Sequence, residues 1–420
     1  MALQAAVART CITPPLDVPN GMWVAQRHVR AEGLDSDLYV RALALADGEL
    51  RVVLLDFDVS FLSDRISDAI RNEVEKANGL PASNVLPFSG HTHAVPTVLD
   101  DYRGEGEDQI RAYIATLPSW AAKASRQAMD SLLPVRVAAG IGHCDIGVNR
   151  GLRLPNGPFV VGCNPDGFAN HEAGVLQLDT KDGKLLACIV NHACHPTVLG
   201  PGNRPISPDY PGSKRHIVEE VTGAGCIFLQ GAAGNIGPQE TFVSDAGVAR
   251  RLGMILELEA FRVFLGLNPV PTRTVLRGVI PSGAALADYR QIPIEQPEPR
   301  LRFIRMYVEL RVRTRCPEVC ERAPERLAHW ESGLEKLRRA GASQEQVSIA
   351  IQNITRERLR TNRIQSHTQK KKYFYREPRY PYRRRSHSHR IGRTVQRNWG
   401  GSKGALAVSR EDPGHRLRRR

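Results

Sequence analysis

Two histidines follow a short apolar run near residue 90, at a spacing that suits a shared metal ion. Residues 84–88 have the composition of a buried strand, and His91 and His93 follow in Ser89-Gly-His-Thr-His. In an extended segment, side chains two residues apart point to the same side, so both imidazoles can address one pocket. Imidazole is a common ligand of Zn²⁺. The alternative is a pair of polar loop histidines at a sheet edge.

A second strand end carries His192 and His195. They lie in Asn191-His-Ala-Cys-His-Pro, directly after the apolar run at residues 185–191. Strand ends of an α/β sheet meet at one rim where ligands bind, so the two histidine motifs together predict one metal site. The alternative is that each histidine is an ordinary loop residue hydrogen-bonded to the backbone.

A third apolar run, residues 225–229, leads into a turn of small residues between Gly231 and Gly237. Glycines let backbone N–H groups approach a ligand closely, as an oxyanion or anion site requires. A tight connection between a strand and the next element would use the same residues.

A layered sheet is needed to bring these three motifs together. Apolar runs predict buried strands at residues 52–57, 84–88, 174–178, 185–191 and 225–229. Amphipathic patterns predict helices at residues 64–76, 109–132, 216–221 and 245–260. This alternation predicts an α/β fold, a mixed sheet with flanking helices.

The chain divides into three parts by composition. We expect an α/β domain that contains the candidate metal-binding histidines at residues 1–265, and a connector and helical hairpin of the same domain at 266–361. Within the hairpin, Ser343 and Gln346 have the spacing of a capping box. Residues 362–420 lack an amphipathic period and have few aliphatic residues, which predicts a disordered basic tail.

The formal charge of +14 belongs almost entirely to that tail. Residues 361–420 hold 18 Lys and Arg against 3 Asp and Glu, so the first 360 residues carry 40 basic and 41 acidic groups. Interleaved Arg, Lys and Tyr can bind phosphates and stack on bases. Because no nucleic-acid-binding fold accompanies the tail, a solvated extension is favoured and nucleic acid is not expected as a partner.

The sequence lacks two targeting features, and we use their absence to predict the cellular compartment. The first residues show no signal-peptide pattern, and no apolar run has the length of a transmembrane helix, so we expect a cytoplasmic protein. Eight cysteines are scattered among apolar runs, as expected of reduced thiols. Cys316 and Cys320 lack a second pair at zinc-finger distance and are not expected to bind metal.

Several short motifs together resemble the N-terminal catalytic domain of the neutral/alkaline non-lysosomal ceramidases, in particular its bacterial members. They occur in the order seen in that family: Ile12-Thr-Pro-Pro, Ser89-Gly-His-Thr-His, Val148-Asn-Arg, Asn191-His-Ala-Cys-His-Pro-Thr, Ile206-Ser-Pro-Asp-Tyr-Pro-Gly and Phe228-Leu-Gln-Gly-Ala-Ala-Gly-Asn-Ile-Gly-Pro.

The resemblance implies a zinc site and a catalytic set. His91 and His195 would be the Zn²⁺ ligands, with His93 beside the metal. Arg150 matches the arginine that would stabilise a developing oxyanion. Asp209 would orient a ligand or a water from outside the metal shell. The implied substrate is a small-molecule or lipid-like amide.

Two departures from the family bear on the mechanism. The family's turn after the third strand contains a serine, the proposed nucleophile, where this chain has Gly237. The family completes its zinc shell with a glutamate and a tyrosine, but the family pattern ends at about residue 362, as expected of a truncated or frameshifted chain. Glu377 and Tyr382 in the tail have the right chemistry without a family-like context.

These observations predict a zinc-dependent hydrolase that uses activated water on an amide bond, N-acyl or ceramide-like, or on an ester bond. One alternative is a catalytically impaired, truncated member of the family. The other is a nucleic-acid-binding protein that acts through its basic tail.

Overall fold

Eight strands form the main sheet, and in space they follow one another from residues 225–230 through 185–192, 172–180, 133–143, 4–11, 39–47 and 50–57 to 85–89. The computed structural model describes residues 2–23, 25–26, 28–100, 102, 105–155, 157, 159–295, 299–304, 309–310, 322–368, 373–374 and 405–409. The strands are β1 (Gln4–Cys11), β2 (Tyr39–Asp47), β3 (Leu50–Phe57), β4 (Val85–Ser89), β5 (Leu133–His143), β6 (Gly147–Arg153), β7 (Phe159–Asn164), β8 (Glu172–Thr180), β9 (Leu185–His192), β10 (Gly225–Gln230), β11 (Ile236–Pro238), β12 (Thr272–Ile280), β13 (Leu286–Pro293), β14 (Arg300–Ile304), β15 (Glu309–Leu310), β16 (Tyr373–Phe374) and β17 (Ala405–Ser409). The helices are α1 (Asp64–Asn78), α2 (Glu107–Asp130), α3 (Asp209–Thr222), α4 (Ala246–Gly266), α5 (Ala323–Arg339) and α6 (Gln344–Thr368).

The main sheet consists of two halves that are nearly separate. The first half, β1 to β4, is antiparallel except for the parallel pair β3 and β4. The second half, β5, β8, β9 and β10, is antiparallel except for the parallel pair β9 and β10. Two residue pairs, Gln4 with Pro134 and Ala5 with Leu133, join β1 to β5. Each half therefore ends in a parallel pair whose strands deliver a histidine loop.

Three apolar clusters explain the layering. Alternate residues of the first half, such as Ala44 and Val53, pack against α1 and α2. Alternate residues of the second half pack against α3 and α4. The opposite faces of both halves meet in a third cluster that contains Leu45, Leu54 and Ile227. The body is therefore four layers, helices outside and two sheet halves inside. Burial on both faces gives these strands continuous apolar runs.

Buried charges also connect the halves. Arg215 of α3 is fully buried, its Nη1 donates to Asp56 Oδ2 at 3.1 Å, and its Nη2 donates to Asp58. Asp56 lies in β3, on the other half of the sheet. Arg41 in β2 donates to Asp58 and to Glu219 of α3, at 3.0 Å each. These ion pairs hold α3 against the strand ends of the first half.

Smaller elements surround this body. Strands β11, β6 and β7 form a three-stranded sheet, and β12 pairs with β13 in a separate hairpin. Helices α5 and α6 form the predicted hairpin, with Gly341 at φ +64° between them. The capping box is confirmed, since the backbone N–H of Gln346 donates to Ser343 Oγ and that of Ser343 donates to Gln346 Oε1. The Gln352 side chain of α6 donates to the carbonyl of Gln26 in the body.

The predicted mixed sheet with flanking helices is confirmed, and two details differ from expectation. Helix α6 continues past the predicted boundary at residue 361 to Thr368. Within the segment expected to be disordered, β16 pairs with β15 and β17 pairs with β14. The other residues of the tail lie outside the described part of the chain. The division at residues 265 and 361 stays a prediction.

Six cysteines of the described part are free thiols. Cys144, Cys188, Cys194 and Cys226 are buried, and Cys11 and Cys163 are exposed. The expectation of reduced thiols agrees with these six positions. None of the helices among the described residues has the length and apolar character needed to cross a membrane.

Candidate metal centre

His91 occupies a strained turn rather than a strand. Strand β4 ends at Ser89, and His91 has φ +68°, in the left-handed region that side chains seldom adopt. Its backbone N–H donates to the carbonyl of Val59 at 2.9 Å. Its Nδ1 contacts the carbonyl oxygen of Ser60. Because that oxygen can only accept, the contact places the proton on Nδ1 and the lone pair on Nε2, the nitrogen that a metal would bind.

His93 is positioned by the chain on both sides of it. The hydroxyl of Thr92 donates to the carbonyl of Ser207 at 3.0 Å, and the carbonyl of His93 accepts the N–H of Met22 at 3.1 Å. The indole of Trp23 lies 4.8 Å from the His93 ring, centroid to centroid. The extended geometry expected for residues 91–93 is wrong at His91, yet both rings reach the same place.

His195 reaches the centre from the other half of the sheet. It follows β9, and its backbone N–H donates to the carbonyl of Ile236 at 3.0 Å. Its Nδ1 lies 3.4 Å from the carbonyl oxygen of Ala233, which places the lone pair of the ring on Nε2, the nitrogen nearest His93. The preceding carbonyl, of Cys194, accepts from the hydroxyl of Tyr210 at 2.5 Å and from Gln230 Nε2 at 2.9 Å. The backbone at His195 is therefore held from three directions.

The three imidazoles converge on one point. One nitrogen from each of His91, His93 and His195 lies within 4.8 Å of the others, and the Nε2 atoms of His93 and His195 are 3.2 Å apart. Nitrogens bound tetrahedrally to one Zn²⁺ at about 2.05 Å are about 3.3 Å apart. With its proton on Nδ1, His195 presents a lone pair to His93 at this distance, which a shared cation would stabilise. The donor set therefore fits zinc.

Burial keeps the imidazoles of His93 and His195 neutral. Desolvation, followed by the charges of His91 and Arg150, lowers the pKa of His93 from 6.5 to about 3. The same causes lower the pKa of His195 well below 6.5. A metal ligand must be deprotonated, so protons do not compete for these two nitrogens at neutral pH.

Arg150 supplies a cation beside the histidines. It lies in β6, where its backbone N–H donates to the carbonyl of Asn235 at 2.9 Å and its Nε donates to that of Gly234 at 3.1 Å. Burial lowers its pKa, and the charge of Arg150 contributes to the lowered pKa of His93 and His195. Within the described residues no carboxylate pairs with Arg150, so its outer nitrogens can meet an anionic group.

Asp209 holds the backbone near the centre and is not hydrogen-bonded to its histidines. It is the first residue of α3, buried, with φ +56°. Its Oδ2 accepts the backbone N–H of Leu199 at 3.0 Å, and its Oδ1 accepts that of Tyr210 at 2.6 Å. Desolvation raises its pKa from 3.8 to about 7. The carboxyl thus ties the loop after His195 to the start of α3.

The glycine-rich turn contributes carbonyl oxygens to the centre. Its carbonyls at Ala233 and Gly234 accept from His195 and Arg150, whereas an anion site would have used N–H groups. Gly237, at the family's serine position, pairs with Val148 in β6. A Cβ placed on Gly237 would lie 3.5 Å from Arg150 Cβ and Cδ, so a side chain there would lie beside Arg150.

The fold of this body is similar to that of known ceramidases. No protein-family model matches the chain. The chain is similar to the crystal structure of neutral ceramidase from Pseudomonas aeruginosa, with a TM-score of 0.54 and 18% identity over 73% of this chain and 51% of that one. It is equally similar to a ceramidase complexed with C2, with a TM-score of 0.54 and 18% identity over 74% and 51% of the two chains. The chain spans about half the length of these ceramidases.

Other sequence candidates do not join the three imidazoles within the described residues. His192 lies in β9 with its Nδ1 3.0 Å from the carbonyl oxygen of Glu172, and it is not part of the cluster. Glu377, Tyr382, Cys316 and Cys320 lie outside the described residues. The carbonyls of Ser60 and Ala233, which orient His91 and His195, carry no side-chain signal by which the sequence could reveal them.

Proposed function

We propose that the chain is a zinc-dependent hydrolase that cleaves an amide bond of an N-acyl, lipid-like substrate, or the corresponding ester. The observation that carries the proposal is the 3.2 Å separation of the His93 and His195 Nε2 atoms, with His91 in the same cluster. The backbone carbonyls of Ser60 and Ala233 contact the Nδ1 atoms of His91 and His195, which places the lone pair of each ring on Nε2.

His91 and His195 would hold the zinc, and the position of His93 makes it a third ligand candidate. Zinc in such a site polarises a carbonyl and lowers the pKa of a water molecule toward neutrality. A pKa of about 3 keeps the His93 ring neutral at neutral pH, so it is unsuited to general acid catalysis and would act as a ligand or through a hydrogen bond.

Arg150 would stabilise the negative charge that develops on the carbonyl oxygen during attack. Its guanidinium is half-buried and positioned by the Gly234 carbonyl, so little reorganisation is needed when the charge appears. Gly237 leaves the adjacent position without a nucleophilic side chain. Water is therefore the nucleophile we propose, in place of the family's serine.

Apolar side chains near these residues support a lipid-like substrate. Trp23 contacts the His93 ring, and the Phe242 ring lies 5.5 Å from that of Trp23, centroid to centroid. In β7, which pairs with the strand that carries Arg150, Phe159 and Val161 are exposed. Exposed apolar residues of this kind bind acyl chains in preference to small polar groups.

Metal content and hydrolysis together test the proposal. We expect the purified full chain to retain zinc through dialysis and to hydrolyse the p-nitroanilide of lauric acid at least tenfold faster, in kcat/KM, than that of acetic acid. His195→Ala should weaken zinc binding at this site and abolish hydrolysis. His329→Ala is the control, because His329 is exposed on α5, outside the cluster.

A protein that binds no zinc at these histidines would contradict the proposal. Zinc bound through His195 without hydrolysis of either anilide or of the matching esters would favour the catalytically impaired alternative.

A further inference from the structure

A second group of metal-ligating side chains lies at the far end of β5. His143 ends that strand, Asp145 follows in the turn into β6, and His171 directly precedes β8. One ligand atom from each of the three lies within 4.8 Å of the others. None of the three belongs to the centre formed by His91, His93 and His195.

Both imidazoles approach the same carboxylate oxygen. Asp145 Oδ1 lies 2.7 Å from His143 Nε2 and 3.1 Å from His171 Nδ1, and the ring centroids are 5.3 Å apart. The simpler explanation is a carboxylate hydrogen-bonded to two histidines. This explanation accounts for His143, which is hydrogen-bonded to Asp145. It does not account for His171, because its buried Nδ1 lies close to Asp145 Oδ1 but makes no hydrogen bond within the described chain. A cation between the three atoms would use that nitrogen.

The backbone holds the three residues in place. His143 is paired with Glu172 in the ladder of β5 and β8, and the backbone N–H of Cys144 donates to the carbonyl of His171 at 2.8 Å. The N–H of His143 donates to Glu259 Oε1 of α4 at 2.6 Å. The carbonyl of Asp145 accepts from Gln239 Nε2 at 2.6 Å. Three ligands on anchored backbone form a site with little reorganisation upon binding.

We infer that His143, Asp145 and His171 form a second, solvent-accessible site for a divalent transition-metal ion. Two imidazoles and one carboxylate select borderline ions such as Zn²⁺ or Co²⁺, whereas Ca²⁺ and Mg²⁺ prefer oxygen ligands alone. The side chains of His143 and Asp145 are each 67% exposed and that of His171 is 32% exposed, so positions remain open to water or an outside ligand. The bound ion would join the end of β5 to the start of β8.

Titration of the metal-stripped full chain with Co²⁺ or Zn²⁺ alone tests the site. We expect the wild-type chain to bind two equivalents. His143→Ala and Asp145→Asn should each lose one equivalent, or weaken it at least tenfold, while the equivalent that depends on His195 remains. Both positions are exposed, so these variants should keep the circular dichroism spectrum of the wild type. His329→Ala, an exposed histidine outside both clusters, should still bind two.

A second readout separates this site from the proposed active site. In a His195→Ala background, Co²⁺ should still raise the melting temperature, because a ligand that binds only the folded state stabilises it. Adding His143→Ala should remove that increase. Stoichiometry unchanged by both His143→Ala and Asp145→Asn would overturn the second site and leave the active-site proposal untouched. The second site would also be overturned, and the active-site proposal left untouched, if His195→Ala were the only one of these variants to lose metal.

Discussion

At the residue scale, the candidate metal centre depends on backbone carbonyls that determine which ring nitrogen of a histidine carries the proton. The Ser60 carbonyl contacts Nδ1 of His91, and the Ala233 carbonyl lies 3.4 Å from Nδ1 of His195. Each contact turns Nε2 inward and fixes the ring. Arg150 uses the carbonyl next to Ala233, that of Gly234, for the same purpose. One short turn therefore positions a ligand and the cation that would act beside it.

Arg150→Gln should lower kcat for the lauroyl anilide by about 10² to 10³ with KM little changed, because a charge aimed at the developing oxyanion acts in the transition state. Zinc content should stay at the wild-type value, which separates this effect from loss of the metal. Arg277→Gln is the matched control. Arg277 lies in β12, its side chain is 72% exposed, and its Nε lies 3.9 Å from Asp288 Oδ2 instead of beside the histidines. Equal effects of the two substitutions would refute the role of Arg150.

The residue types of the centre were predictable, and their geometry was not. Histidines after apolar runs are visible in sequence, and His91, His93 and His195 do converge. The left-handed backbone of His91 has no sequence signal, since Gly90 precedes it and would be the usual residue for such a turn. His192 has the same context as His195, and only the register of β9 with β8 separates them, because it directs His192 to the Glu172 carbonyl.

At the element scale, the loop after β9 is tied to helix α3 by a buried carboxyl. Asp209 accepts the N–H groups of Leu199 and Tyr210, and Tyr210 in turn supports the peptide before His195. Desolvation raises the pKa of Asp209 to about 7. In the folded state this carboxyl therefore holds a proton at pH values where an unfolded chain has lost it.

The free energy of unfolding should depend on pH because of this raised pKa. Between about pH 4 and pH 7 the folded state binds the extra proton at Asp209, so its contribution to stability falls as pH rises and is constant above pH 8. Asp209→Asn cannot titrate. The stability difference, wild type minus variant, should fall by up to about 1.4 kcal/mol per pH unit within that window. Urea unfolding at pH 5, 6, 7 and 8 measures it, and a difference that is independent of pH would contradict the expected titration.

The prediction of strands from sequence failed where the amino-acid composition favours a helix but the segment is buried within a sheet. Strand β2 contains Ala42-Leu-Ala-Leu-Ala46, residues that favour a helix, directly after Arg41, and no pattern there predicted a strand. The strand is almost wholly buried because α2 covers one face and the second half of the sheet covers the other. Small residues fit between two layers, so tertiary packing overrides local propensity. The parallel-pair strands β3, β4, β9 and β10 were predictable because they are rich in bulky apolar residues.

At the scale of the whole molecule, the candidate metal centre lies between two halves of the main sheet that share few backbone hydrogen bonds. His91 and His93 follow a strand of the first half, and His195 follows a strand of the second. The apolar cluster between the halves and the ion pairs of Arg215 hold them in register. The sequence predicted a mixed sheet with flanking helices, but the packing of one half on the other depends on contacts between distant residues that no local pattern contains.

Arg215→Met should therefore affect both stability and metal binding. Arg215 and Asp56 are fully buried, and Arg215 opposes the desolvation that raises the pKa of Asp56. Removing the guanidinium leaves the carboxylates of Asp56 and Asp58 buried without this ion-pair partner. The free energy of unfolding should fall by about 3–5 kcal/mol. Zinc binding at His195 should weaken in the same variant, because α3 no longer holds the two halves in register.

The control is a surface pair of the same chemistry. Arg251 donates to Glu240 at 2.5 Å, and their side chains are 52% and 49% exposed, so Arg251→Met should cost less than about 1 kcal/mol and leave zinc affinity unchanged. Urea unfolding of the metal-stripped chains gives the stability, and competition with a chromophoric chelator gives the affinity. A ligand cluster that is split between two halves must lose affinity when the register of the halves loosens. If Arg215→Met lost stability but bound zinc as tightly as Arg251→Met, the ion pairs would therefore support the fold without positioning the histidines.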